Sequence, residues 1–193
     1  MPHRWFPFDE ITKDPEIRVF CFAHAGGNAN FFREWRGTAD LVEFYPVQLP
    51  GHGTRLSEPP LTRLEDIVDA FAEAAEPLLD RPFALFGHSF GAWLAYAAAQ
   101  QIRTQYGQST RHLFVSGNVP PPKTPRKTPN ILTSIEEAEK YMISLGGTAS
   151  GLISDKELLE ILTPIFMTDI NLLRIYHDKF INPLKCPITA FLG

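Results

Sequence analysis

The sequence predicts an α/β domain: a doubly wound, mostly parallel sheet with flanking helices and a helical insertion late in the chain. Short runs rich in β-branched and aromatic residues alternate with stretches whose apolar residues recur at helical spacing. Several of those runs end directly in glycine-bearing turns. The segment from 117 to 187, between the fourth and fifth strand-like runs, is far longer than the 2–6 residues of an ordinary connection.

In chain order, Ile17 to Ala23 reads as a buried strand ending at Gly26-Gly27, and Val42 to Leu49 as a second strand stopping at Pro50-Gly51. Leu64, Ile67, Val68, Phe71, Ala75 and Leu78 fall at helical spacing and predict a helix from Leu64 to Leu79. Phe83 to Phe86 is a third strand meeting Gly87. Ala92 to Ile102 is apolar on nearly every side, as a helix within a large core would be. His112 to Ser116 and Ile188 to Leu192 complete the strands. The intervening segment opens with Pro120, Pro121, Pro122, Pro125 and Pro129, with Lys123, Arg126 and Lys127 between them. Amphipathic helices are expected around Ser134–Leu145, Ser154–Leu162 and Pro164–Phe180. The expected division is a core of residues 1–119 and 183–193, with 120–182 as a lid over a site.

Composition narrows the class. With 193 residues, 44% hydrophobic and 21% charged, the chain is one domain with a real core, not a collagen-like, coiled-coil or disordered sequence. A net charge of −4 and the lack of a long basic block argue against nucleic acid. Cys21 and Cys186 sit in apolar runs and form neither a disulfide framework nor a metal site, which suits a reducing compartment. The N-terminus has no apolar signal core, and no run approaches the 18 or so residues of a membrane helix. A cytoplasmic, monomeric protein is expected.

The chemistry centres on Gly87-His88-Ser89-Phe90-Gly91, a G-x-S-x-G between a strand and a helix. A serine on such a sharp turn is strained and exposed, and flanking glycines remove side chains that would collide across it. A glycine-rich turn that only packs helix on sheet would explain the glycines but not the serine, so Ser89 is the candidate nucleophile. His24-Ala25-Gly26-Gly27 follows the first strand and is the second signal. Backbone N–H groups of Ala25 and Phe90 are the expected oxyanion donors. The His24 side chain is expected to be satisfied by loop backbone. Gln48 to Pro60, read as chemistry alone, is a surface turn with one Arg and one Glu.

Taken together, Phe22-Ala23-His24-Ala25-Gly26-Gly27, Gln48-Leu49-Pro50-Gly51-His52-Gly53-Thr54-Arg55-Leu56 with Glu58-Pro59-Pro60, and Phe86 to Ala92 resemble the type II thioesterases. Those are stand-alone α/β hydrolases of nonribosomal peptide and polyketide synthesis. Ser116-Gly117 with Pro120-Pro121, and Pro164-Ile165-Phe166-Met167-Thr168-Asp169, also resemble the family, from about residue 16 onward. The resemblance implies an α/β-hydrolase fold and hydrolysis of acyl groups from the phosphopantetheine thiol of an acyl or peptidyl carrier protein. No cofactor and no metal are implied. The insertion supplies apolar residues, such as Met142, Leu145, Leu162 and Phe166, that could line an acyl channel. Lys123, Arg126 and Lys127 could meet an acidic carrier. Rival readings are a general carboxylesterase or lipase, and a non-catalytic carrier-binding module.

The family's chain order is Ser, Asp, His. Its acid follows the strand here formed by Ile188–Leu192, and its histidine comes later, so neither is expected within 193 residues. A fragment or a naturally shortened product lacking the last strand and helix is expected, inactive or nearly so. His112 would lie at the far edge of the sheet, roughly 15 Å from the nucleophile's edge for a five-residue strand. His177 belongs to the insertion, His88 points away from its neighbour Ser89, and His3 and His52 have no matching role. Asp155, Asp169 and Asp178 read as solvated helix residues.

Overall fold

The order in which strands lie across the sheet decides where a site can form. In the structure, a computed structural model that describes residues 3–118, 131–145, 156–175 and 183–191, the sheet has the order β2-β1-β3-β4-β5. The strands are β1 (Ile17–Phe22), β2 (Val42–Pro46), β3 (Phe83–His88), β4 (Leu113–Ser116) and β5 (Ile188–Phe191). Every neighbouring pair is parallel. From β1 the chain first winds outward to β2, then returns to β3 and winds the other way. Between β1 and β3 the winding reverses, and a crevice opens beyond their C-terminal ends, where open α/β sheets bind ligands.

Period-two alternation gives the sheet two different faces. Phe20, Phe22, Phe83 and Leu85 point into the main core, against α1 (Leu64–Ala75) and α2 (Phe90–Tyr106). Val19, Cys21 and Ala84 point to the other face, where the 3-10 segment Ala29–Trp35 brings Phe32 down onto the sheet. Burial pushes the Cys21 thiol far up from its ordinary range. The sheet is parallel with flanking helices, as expected; among the described residues α1 and α2 cover one face and the 3-10 segment the other.

Boundaries shift for local reasons. The second strand stops at Pro46, not Leu49, because Gln48 N–H donates to Trp5 O and leaves the sheet. The third runs two residues further, to His88. The predicted Leu64–Leu79 helix tightens into a 3-10 turn at Glu76–Leu78, where Pro77 has no N–H to continue the ladder. Helix α2 outruns its apolar stretch and ends at Gly107, which takes the left-handed conformation at φ +68°.

The insertion contributes α3 (Ile135–Ser144) and α4 (Lys156–Ile175). Ser134 caps α3 by accepting from Glu137 N–H, and Asn171 of α4 clasps both the N–H and the C=O of Leu132 at 2.8 and 2.9 Å. The expected break at Pro164 does not occur, for α4 passes through it. Pro164 has no N–H to offer the Glu160 C=O, and Glu160 is exposed, so water can satisfy that carbonyl. Buried Thr163, Ile165 and Phe166 hold both sides of the proline on the core. The proline cluster with Lys123, Arg126 and Lys127, the start of the predicted helix at Ser154, and Asp155, His177 and Asp178 lie outside the described residues.

Candidate active site

The elbow forms where β3 turns into α2. Ser89 caps α2 with φ +53° and ψ −116°, a conformation that strains any residue with a Cβ. Two close approaches hold it there. A Cβ on Gly87 would lie 2.0 Å from Gly91 O, and one on Gly91 would lie 2.1 Å from Phe22 O. Both glycines are thus required by space, one within the elbow and one where α2 crosses β1. Ser89 N–H donates to Ser116 O at 2.7 Å, and Asn118 Nδ2 donates to Ser89 O at 2.8 Å, so the neighbouring strand anchors the strained residue from outside.

Opposite the elbow, His24 O accepts Gly27 N–H at 2.9 Å and Gly26 has φ +71°. With no positive φ at Ala25, this is a type II turn, which needs glycine at its third position. Ala25 shares with Ser89 a pocket of about 430 Å³. Its floor includes His24, Gly26 and His88, and Met142, Leu145, Leu159, Leu162, Phe166 and Ile170 of α3 and its end and of α4 supply apolar wall. That volume and lining suit a small or medium apolar ligand. Phe90 opens α2, where helix geometry leaves amide donors without an intrahelical acceptor.

The histidines sort themselves by their partners. His88 Nδ1 faces Ser116 Oγ at 3.1 Å, its ring stacks on Phe31 at 5.8 Å, and burial lowers its pKa. His24 packs edge-on against the same Phe31 at 4.8 Å, and burial, with His88 nearby, lowers its pKa although Asp169 opposes the shift. His112 lies against Thr189 Oγ1 at 2.8 Å and stacks on Phe114. It precedes β4, at the opposite end from Ser116, which keeps it away from the elbow.

Two expectations fail here. Gln48 to Pro60 is not simply a surface turn: Gln48, His52 and Arg55 are buried, and Arg55 grips Glu58 with two bonds of 2.8 and 2.7 Å. Asp169 is not a solvated helix residue either, being 2% exposed. Its Oδ2 accepts from Gly26 N–H at 2.7 Å and lies 3.0 Å from His52 Nε2. His52 Nδ1 donates to Pro50 O at 2.9 Å. Both ring nitrogens are therefore engaged, one by the Pro50 carbonyl and one by the Asp169 carboxyl. Burial pulls its pKa down, but the Asp169 hydrogen bond and charge, with the Pro50 carbonyl, outweigh that and raise it. Neither nitrogen is left to take a proton from Ser89, so this Asp–His pair is not a catalytic dyad. Sequence reasoning missed it because its members stand 117 positions apart. Among the described residues, no group of three or more His, Cys, Asp or Glu could hold a metal ion. No helix there is long and apolar enough to cross a membrane.

A family profile described as Thioesterase domain matches residues 17–193. The gramicidin S biosynthesis protein GrsT of Aneurinibacillus migulanus is 36% identical over 192 residues, covering 99% of this chain and 75% of its own. The medium-chain S-acyl fatty acid synthase thioesterase of Homo sapiens is 31% identical, over 96% of this chain and 73% of its own. Among solved structures, the type II thioesterase BorB from the borrelidin biosynthetic cluster superposes with a TM-score of 0.82 at 30% identity, covering 94% of this chain and 74% of that one. RedJ, the thioesterase of the prodiginine pathway in Streptomyces coelicolor, gives 0.80 at 34% identity, covering 96% and 72%.

Proposed function

The chain belongs to the thioesterase family, as a type II thioesterase of the kind that serves nonribosomal peptide and polyketide assembly, and on that premise we propose that Ser89 is its nucleophile. Ser89 Oγ attacks the carbonyl carbon of an acyl thioester, the C–S bond breaks, and the thiol leaves with a proton. Water then attacks the acyl-serine, releasing the carboxylic acid and returning the proton to Oγ. Ala25 and Phe90 N–H groups hold the oxyanion formed in each step, each donor worth about 10²–10³ in rate. The substrate is an acyl group on the phosphopantetheine arm of a carrier protein, its chain lying against the α3 and α4 wall, with the insertion acting as a lid.

One observation carries this reading. A strained, glycine-hemmed serine stands at the reversal point of the sheet and opens on the same apolar pocket as the Ala25 turn. The activating histidine is not His52, whose nitrogens are both engaged. We place it, with its acid, in sequence corresponding to the quarter of the relatives that these 193 residues do not span. Without that base, catalysis falls to a residue of about 10³–10⁴ over water.

The test is hydrolysis of acyl-pantetheine thioesters, acyl carrier protein and matched oxygen esters. Three proteins are compared: this chain, this chain continued with the C-terminal quarter of GrsT, and the continued chain bearing Ser89→Ala. The continued chain should hydrolyse thioesters in preference to oxygen esters and lose that activity with Ser89→Ala. Ser89-dependent turnover above about 0.1 s⁻¹ by the 193 residues alone would overturn the placement of the base. Equal or better rates on oxygen esters would make it a carboxylesterase.

A further inference from the structure

Asp169 is the one carboxylate that touches the Ala25 turn among the described contacts, and it comes from the insertion. We propose that Asp169 is a positioning residue: its carboxylate fixes the Ala25–Gly26 peptide and so steadies the Ala25 N–H, with the His52 ring holding the carboxylate from the other side. The proposal rests on the reading that Ala25 is an oxyanion donor.

Types I and II turns differ chiefly by a half-turn of the central peptide. In the His24–Gly27 turn that central peptide carries the Gly26 N–H, which donates to Asp169 Oδ2 at 2.7 Å. Flipping it would turn the Ala25 carbonyl towards a buried carboxylate, placing oxygen against oxygen. Asp169 therefore selects one orientation. With the central peptide held, the turn is pinned to α4 one peptide away from the Ala25 amide; with it free, the whole turn loses that anchor and the Ala25 amide drifts with it. Such misplacement of a reacting or stabilising group by about 1 Å can cost 10²-fold in rate.

Burial makes the carboxylate firm. Asp169 and His52 have side chains 3% and 4% exposed, a setting in which an unpaired charge would be costly. The His52 ring is itself fastened by Pro50 O, and Gln48 Nε2 bonds the His52 carbonyl at 2.7 Å. Phe166, one turn before Asp169, packs its Cβ against the face of Gly26, where a substituent Cβ would sit at 3.4 Å. The turn is thus gripped by α4 through a hydrogen bond and a van der Waals contact.

The experiment replaces the ion pair by an apolar one, Asp169→Leu/His52→Leu, so that no lone charge is buried. Such exchanges are often tolerated in stability. In the continued chain, kcat should fall on the order of 10²-fold with KM within about 3-fold. Asp169→Asn, which keeps one acceptor oxygen for Gly26, should retain most of kcat. In the 193-residue chain, which needs no turnover for this reading, Gly26 amide exchange should speed at least about tenfold in the double variant and not in Asp169→Asn. If the Leu pair does not fold, Asp169→Ala/His52→Gln, which keeps a donor for Pro50 O, is read the same way. Unchanged kcat or unchanged Gly26 exchange in the folded double variant overturns the proposal, and so does an Asn variant as impaired as the double. Ser89→Ala separates the failures: if it stays active, the nucleophile reading falls; if it is inactive while the double variant works, only the positioning role falls.

Discussion

The two sides of the pocket are built in opposite ways. The Ser89 elbow is local: strand, five-residue motif and helix follow one another in sequence, and its strain is held by glycines within reach. The Ala25 turn is local only in shape. What grips it comes from α4, 143 positions away, and from His52 in a different loop. A self-contained elbow can be carried intact by its motif, whereas the turn depends on where an insertion happens to dock. One half of the site is therefore robust by construction, and the other is open to adjustment through α4.

The sharpest way to test that contrast is to break the elbow. Ser89→Ala in the continued chain should lower kcat on the order of 10⁶-fold, measured by single-turnover thioester hydrolysis, while leaving the fold unchanged. Gly91→Ala should do the reverse, acting on stability first. Its Cβ has backbone oxygen at 2.1 Å, which no rotamer relieves, so a loss of about 3 kcal/mol or more is expected in urea unfolding.

A smaller effect should separate the turn by pH. The His52 pKa is raised on folding, so its contribution to stability is complete below the unfolded value near 6.5 and is lost as pH rises through the folded value. Unfolding midpoints should decline from about pH 6.5 upward, and that decline should vanish in His52→Leu/Asp169→Leu. A decline of the same size in the double variant would assign it to other groups. Smallest of all is Lys140→Ala on the outer face of α3. Its bond to Glu136 at 2.7 Å is fully solvent-exposed, and no change in midpoint or rate should be detectable.

Much of the core is legible in the letters alone, because parallel strands buried on both faces leave continuous apolar runs such as Val19 to Phe22. The elbow is legible for a stronger reason: sterics force Gly87 and Gly91 to be glycine, so the constraint is written within five letters. Asp169 is not legible. On a helix its neighbours Thr168 and Asn171 are polar, and nothing in that stretch distinguishes a buried carboxylate from a solvated one. His52 likewise reads as a loop residue, since its burial comes from α4 closing over it. Pro164 misleads in the opposite direction: as a local letter it ends helices, but tertiary packing on either side holds this one together.

That proline has a mechanical consequence. Helix α4 lacks the ladder bond from position 164 to Glu160, so its bending stiffness is lowest there. On one side of the soft point stand Phe166, Asp169 and Ile170, seated in the core; on the other stand Leu159 and Leu162 of the pocket wall. A strain on the Leu159 and Leu162 wall therefore meets the weakest point of the helix, between buried Thr163 and buried Ile165, before it reaches Asp169.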